Sequence, residues 1–397
     1  MRIFVTLFLV FIFNLDLSAA EVVHLSAKYQ SSQKCVACHQ HIAKDWKNSW
    51  HAKSHYNKDE YYRKSIDYLA KKTRQSSKSI EVKCAKCHNP RITVTQVSDE
   101  FEAIAALGLD KGSKIDKALK DKTISEGINC LVCHNVNHIN TKAPANVRGM
   151  DRVSWNRNGT MSGPFSDAKS PYHKTQKRNF FTKNSNQLCF VCHANDHSYV
   201  NKKLVFTNME KEYKGNKKCV ECHMSPKVHK YAATYRINGK LKPRDIRYHK
   251  FAGAHKEKMW KDALSLKLKA DKNNLFITIN NPQPHNIPSG FGAREIVVQV
   301  DYYNGGKIAT KTIPLTTHYK RKRGKKSIPH LALEASKDMS IPAKGSKTIK
   351  VKKPHNASKA KVTLYYKLVN DEVHTLLDLK EDIWQEKFFI TSKEIRL

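Results

Sequence analysis

The apolar residues of this chain follow two different rhythms. Over residues 59–73, Tyr62, Ile66 and Leu69 recur at the spacing of one helix face, and 99–107 and 113–122 repeat that pattern on a smaller scale, so three helices are predicted there. Residues 148–175 are rich in Gly, Ser, Asn and Pro and predict a loop, an unusually long one for a compact domain. Beyond about residue 263 the rhythm shortens. Residues 275–279, 295–303, 307–315, 346–352 and 361–368 are β-branched or aromatic runs, several alternating with polar residues, and Asn304-Gly-Gly306 supplies a turn between two of them. The pattern predicts an α+β multidomain chain. A mainly helical and irregular domain covers 21–263, and a small antiparallel β-sandwich covers 264–397.

Residues 1–20 stand apart from both. Arg2 precedes an apolar run from Ile3 to Phe13, and Ser18-Ala19-Ala20 provides small residues for cleavage. This is the layout of a secretory signal peptide cut after Ala20. The run is too short to span a bilayer, and no later segment approaches a spanning length. A periplasmic location is the expectation, with no transmembrane segment after cleavage.

The cysteines change the picture most. All ten fall into five copies of C-x-x-C-H: Cys35/Cys38/His39, Cys84/Cys87/His88, Cys130/Cys133/His134, Cys189/Cys192/His193 and Cys219/Cys222/His223. The spacing is that of c-type haem attachment. Two thiols three residues apart reach the two vinyl groups of one haem, and the adjacent histidine becomes the proximal iron ligand. Five covalently attached haem c groups are therefore expected, with His39, His88, His134, His193 and His223 as proximal ligands. All five motifs lie before residue 263. Each haem is a large apolar plate that substitutes for side-chain core, so this region needs little regular structure.

The formal net charge is +37. About ten haem propionates would offset part of it. Nucleic acid is the usual partner of such a basic chain, but export argues against it. Redox partner proteins, acidic or membrane-bound and quinol-linked, fit better. The densest basic run, residues 320–326, reads as a solvated loop.

Several segments resemble those of multihaem cytochromes c related to tetrahaem cytochrome c-554, especially members with an appended β-domain. They are Trp46-Lys-Asn-Ser-Trp-His51-Ala, Glu126-Gly-Ile-Asn-Cys130, Gly163-Pro-Phe-Ser-Asp-Ala-Lys-Ser-Pro-Tyr-His173, Cys219-Val-Glu-Cys-His-Met224, His249-Lys-Phe-Ala-Gly-Ala-His255 and Pro284-His-Asn-Ile-Pro-Ser-Gly290. The family pattern has Gly and Thr where this chain has Pro284 and Ser289. The resemblance implies His51, His173, His249, His255 and His285 as distal iron ligands, one for each haem. His285 would then tie the β-domain to the haem domain. His55, His138, His197 and His229 lie near these positions or near the motifs and compete with them. Met224 adjoins a proximal histidine and is expected to pack.

An iron closed by two imidazoles passes electrons and has no vacancy, whereas an open iron binds small ligands. Equal numbers of proximal and distal candidates point to a carrier of single electrons, not an enzyme, with no catalytic residue. The competing reading is a multihaem oxidoreductase acting on a small nitrogen or sulfur oxyanion at one open haem. Pentahaem nitrite reductases resemble the chain in haem number, but their C-x-x-C-K site is missing here.

Overall fold

The computed structural model describes residues 31–92, 94, 96–234 and 242–397. The proposed signal segment lies outside the described residues.

The first part is built from short helices joined by irregular chain. The longest, Glu60–Thr73, starts where the Asp59 side chain accepts from Tyr62 N, and stops at Arg74 in the left-handed conformation. Its apolar stripe of Tyr62, Ile66 and Leu69 is buried, as the periodicity predicts. Helices at Asp99–Ala106 and Lys114–Leu119 match the expected pair and are capped by Ser98 and Ser113. A helix at Ser77–His88 was not evident from periodicity, because its end carries the second motif instead of an apolar stripe. Residues 148–175 are not featureless. They hold a 3-10 turn at Gly149–Arg152 and short strands at Val153–Trp155 and Met161–Gly163.

The C-terminal part is rich in antiparallel strands. One sheet has the order Gly306–Leu315, Glu295–Asn304, Lys359–Lys367, Phe388–Arg396, with Val298 opposite both Ile313 and Leu364. A second has the order Gly345–Lys352, Asn274–Asn281, Ser265–Ala270, with Ile277 opposite both Ile349 and Leu268. Buried residues of both sheets, including Ile277, Val298 and Leu364, belong to one hydrophobic cluster. The fold is mixed α+β with a β-rich C-terminal part. The strand Phe388–Arg396 and the helix Asp371–Leu377 were missing from the sequence expectation. Polar residues dilute the strand, and the helix is too short for a periodic signal.

The two parts do not have separate interiors. Tyr61, Tyr62, Ile66 and Leu69 join the cluster of the sheets. The Glu60 carboxylate accepts from the backbone N–H groups of Lys380 and Glu381. The first helices are thus held against the C-terminal part by apolar packing and by a carboxylate that satisfies backbone donors.

Candidate haem-binding site

Each C-x-x-C-H motif lies on or against a helical turn, at Gln33–Val36, Ser77–His88, Cys130–His134, Asn186–His193 and Cys219–His223. Residues three and four apart share a helix face, so a turn directs both thiols and the histidine to one side. All ten cysteines line one continuous cavity of about 1760 Å³. The five proximal candidates line it too, as do His51, His173, His249, His255 and His285. The competitors His55, His138, His197 and His229 are not among its lining residues. His138 is exposed, and His229 pairs with Asp245 at 2.8 Å.

Within the cavity the histidines come in pairs. Ring centroids are 6.5 Å apart for His39 and His173, 6.3 Å for His134 and His249, 6.3 Å for His51 and His193, and 6.4 Å for His223 and His285. An imidazole nitrogen binds a metal at about 2.0–2.1 Å, and its ring centre lies about 1.1 Å behind it, so two imidazoles sharing one iron put their centroids roughly 6.3 Å apart. All four separations fit that arrangement. Among the described residues no three His, Cys, Asp or Glu side chains converge on a point where a bare metal ion could sit. The donors therefore suit a flat cofactor between two imidazoles.

Hydrogen bonds orient the rings. His39 Nδ1 donates to the Ala232 carbonyl at 2.7 Å, His134 Nδ1 to Ser162 at 2.7 Å, and His223 Nδ1 to Ala252 at 2.6 Å. His249, His285 and His173 donate to Arg247, Asn286 and Lys174. A carbonyl only accepts, so each Nδ1 carries the hydrogen and each Nε2 keeps its lone pair for a metal. Burial favours the same neutral state. It pushes His51 down to about 3, helped by His193, and His193 and His249 to about 4. The segment 148–175, expected as a mere loop, accordingly supplies both His173 and the carbonyl that orients His134.

The fifth expected pair is not formed. His255 stacks on Trp50 at 3.6 Å, with an edge contact to Trp384 at 6.2 Å, and faces none of the motif histidines at ligand-pair distance. The partly buried Trp50 holds this ring against its face. His88 has no histidine opposite it among the described residues. Its Nδ1 is hydrogen-bonded to Ser54 Oγ at 3.0 Å, and Tyr62 stacks on its face at 4.2 Å, beside the ring.

The motifs are also neighbours of one another. The thiols of Cys35 and Cys130 perturb each other's ionisation directly, as do those of Cys189 and Cys219, and Cys87 acts on Cys192. Attachment sites one and three, four and five, and two and four therefore adjoin. Phe251 links the remaining groups, 4.3 Å from the His51 ring and 5.9 Å from that of His249.

One cavity residue escaped the sequence reading altogether. His330 lies in the C-terminal part, far from any motif, yet lines the same cavity. No local pattern marked it.

Residues 34–135 match the sequence model of a family described as cytochrome c554 and c-prime. The matched segment holds the first three of the five C-x-x-C-H motifs, so this part of the chain is similar to c-type cytochromes. The crystal structure of a penta-heme cytochrome c552 from Thermochromatium tepidum superposes with a TM-score of 0.67 over 92% of this chain and 98% of that one. Sequence identity is 18%, so the likeness is one of fold. No curated protein matches the chain.

Proposed function

We propose that the chain carries five haem c groups and passes single electrons along them. The observation behind this reading is the set of four histidine pairs at 6.3–6.5 Å lining one cavity with all ten cysteines. In it, His39/His173, His134/His249, His193/His51 and His223/His285 ligate four low-spin irons, and the cysteines hold the porphyrins. The haem supplies the one-electron chemistry. The protein sets spacing, excludes water and orients each imidazole. The adjoining attachment sites join haems one, three, four and five in a row, with haem two beside four. The penta-heme neighbour supports the count of five. The two C-terminal sheets, sharing one cluster, support a sandwich that closes the haem cavity through His285. The motifs and the apolar N-terminal run support export to the periplasm. No helix among the described residues is long and apolar enough to cross a membrane.

Mass spectrometry tests the count. The exported protein should exceed its polypeptide mass by five haems, and four would remove one motif from the reading. Potentiometry of the oxidised protein should show low-potential low-spin haems, as two-histidine ligation without methionine implies.

A second reading is favoured by His88. A haem there, with no opposing histidine among the described residues, can take a small ligand, which supports an oxidoreductase acting on a small nitrogen or sulfur oxyanion. Electron paramagnetic resonance separates the two. One high-spin haem in five supports the second reading, and an entirely low-spin spectrum supports a pure carrier.

A further inference from the structure

If His88 carries the open haem, a polar cluster lies near it that no attachment motif explains. Asp196, three residues beyond the fourth proximal histidine, accepts from Arg148 at 2.6 Å and lies 3.4 Å from His330 Nε2. Burial would raise its carboxyl, yet the hydrogen bond with His330 and the charges of His330 and Arg148 hold it at about 2. It stays ionised and fixes which His330 nitrogen faces it. The other nitrogen, Nδ1, is buried with no protein partner. The Tyr61 hydroxyl is also buried, approaching Ser65 without a well-formed hydrogen bond. A buried polar atom left unsatisfied is costly, so two of them at one cavity call for a ligand or water to complete them.

Tyr61, Arg148, Asp196, Phe291 and His330 line the same cavity as His88. Phe291 joins the cluster, 4.7 Å from Tyr61 and 6.2 Å from His330. The His330 backbone is anchored, since Tyr199 N donates to its carbonyl at 2.7 Å. The C-terminal part thus places one anchored imidazole in the cavity that the second attachment site also lines.

We infer that His330, positioned by Asp196, and Tyr61 form the polar wall of a pocket for a small anionic nitrogen or oxygen ligand at the His88 haem. The inference rests on the open-haem reading. As the imidazolium, with Nε2–H directed at Asp196, His330 donates to the bound anion through Nδ1–H, and Tyr61 donates through its hydroxyl; Arg148 and Asp196 hold His330 in place, and Phe291 keeps the pocket dry. The strongly basic surface draws such anions toward it.

The test uses azide and the oxidised, fully haem-loaded protein, following the high-spin signal and the optical spectrum. Wild type should bind one azide per chain with loss of the high-spin signal. His330→Phe should weaken azide about tenfold or more, as expected for a lost hydrogen bond to a charged group. His330→Gln, which keeps a donor, should recover most of that affinity. Asp196→Asn and Tyr61→Phe should each weaken it severalfold, and His138→Gln, at an exposed site, should not. The four low-spin haems report folding in each variant. If His330→Phe loses haems, Asp196→Asn and Tyr61→Phe decide. Variants that bind azide as wild type does would overturn the inference while leaving the open haem standing. A wild type with no high-spin iron and no azide binding would overturn the open-haem reading, and the inference with it.

Discussion

His255 lies flat on Trp50, with 3.6 Å between ring centroids and planes 10° apart. Trp50 in turn donates through Nε1 to Asp59 at the start of the longest helix of the first part. The imidazole therefore completes an aromatic stack, whereas His51, the next residue after Trp50, faces His193. Replacing His51, His173, His249 or His285 by Ala should each turn one low-spin haem high-spin by electron paramagnetic resonance. His255→Ala should leave the number of low-spin haems unchanged and cost about 1–2 kcal/mol of stability through lost stacking. A new high-spin signal in His255→Ala would return it to the ligand set.

Phe251 touches the distal candidates of two different haems, and its φ of 45° is rare for a residue with a side chain. It fixes the spacing between His51 and His249. Phe251→Ala should lower stability by about 1–3 kcal/mol and shift the spectra of haems three and four together. Phe251→Leu should do so less. Haems one and five serve as internal references, and equal shifts at all haems would argue for general loosening.

Gly127 explains the Glu-Gly lead-in to the third motif. Its φ is +64°, and a Cβ there would lie 2.6 Å from the backbone oxygen of His51. Ile128 N also donates to that oxygen at 2.9 Å. Gly127→Ala should cost about 2–4 kcal/mol in denaturant unfolding and disturb the haem bound by His51. Gly108→Ala, at φ +72° with open space around it, should cost only about 1–2 kcal/mol. Equal costs at the two sites would show that the close approach to His51 carries no weight.

Glu295 begins a central strand, and burial lifts its carboxyl to about 7, with Asp371 adding to the shift and Lys367 opposing it. The folded value lies above the ordinary 4.5. The stability it contributes is therefore fully present below about pH 4.5 and is lost as pH rises through about 7. Glu295→Gln should reduce the loss of stability between pH 5 and pH 8, by on the order of 1–2 kcal/mol. Parallel pH profiles for the two proteins would remove this group as the cause.

The β-rich part was legible wherever strands alternate cleanly. Residues 275–279 and 295–303 lie within observed strands because one face is buried and the period of two survives in the sequence. Ser265–Ala270 and Phe388–Arg396 were hidden by lysines and polar residues on their exposed positions. His51, His173, His249 and His285, suggested as ligands by family-like segments, each lie opposite a motif histidine, whereas His255, suggested by the same kind of segment, lies on Trp50. The motif H-x-F-x-G-x-H places two histidines close in sequence, but Phe251 turns the chain between them, so they end in different surroundings.

The sequence by itself determined the cofactor chemistry. Two thiols and a histidine within one helical turn are a local arrangement, complete before the chain folds any further. The distal side could only be decided by the tertiary structure. His51 meets His193, and His39 meets His173, across long stretches of intervening chain, and His330 reaches the cavity from the C-terminal part. An iron's second axial position is filled by whichever side chain packing delivers there, and packing joins residues that no local spacing connects. Four pairs, and a His88 that no histidine faces among the described residues, are thus a property of the fold, and that difference separates a closed electron carrier from a protein with a haem open to ligands.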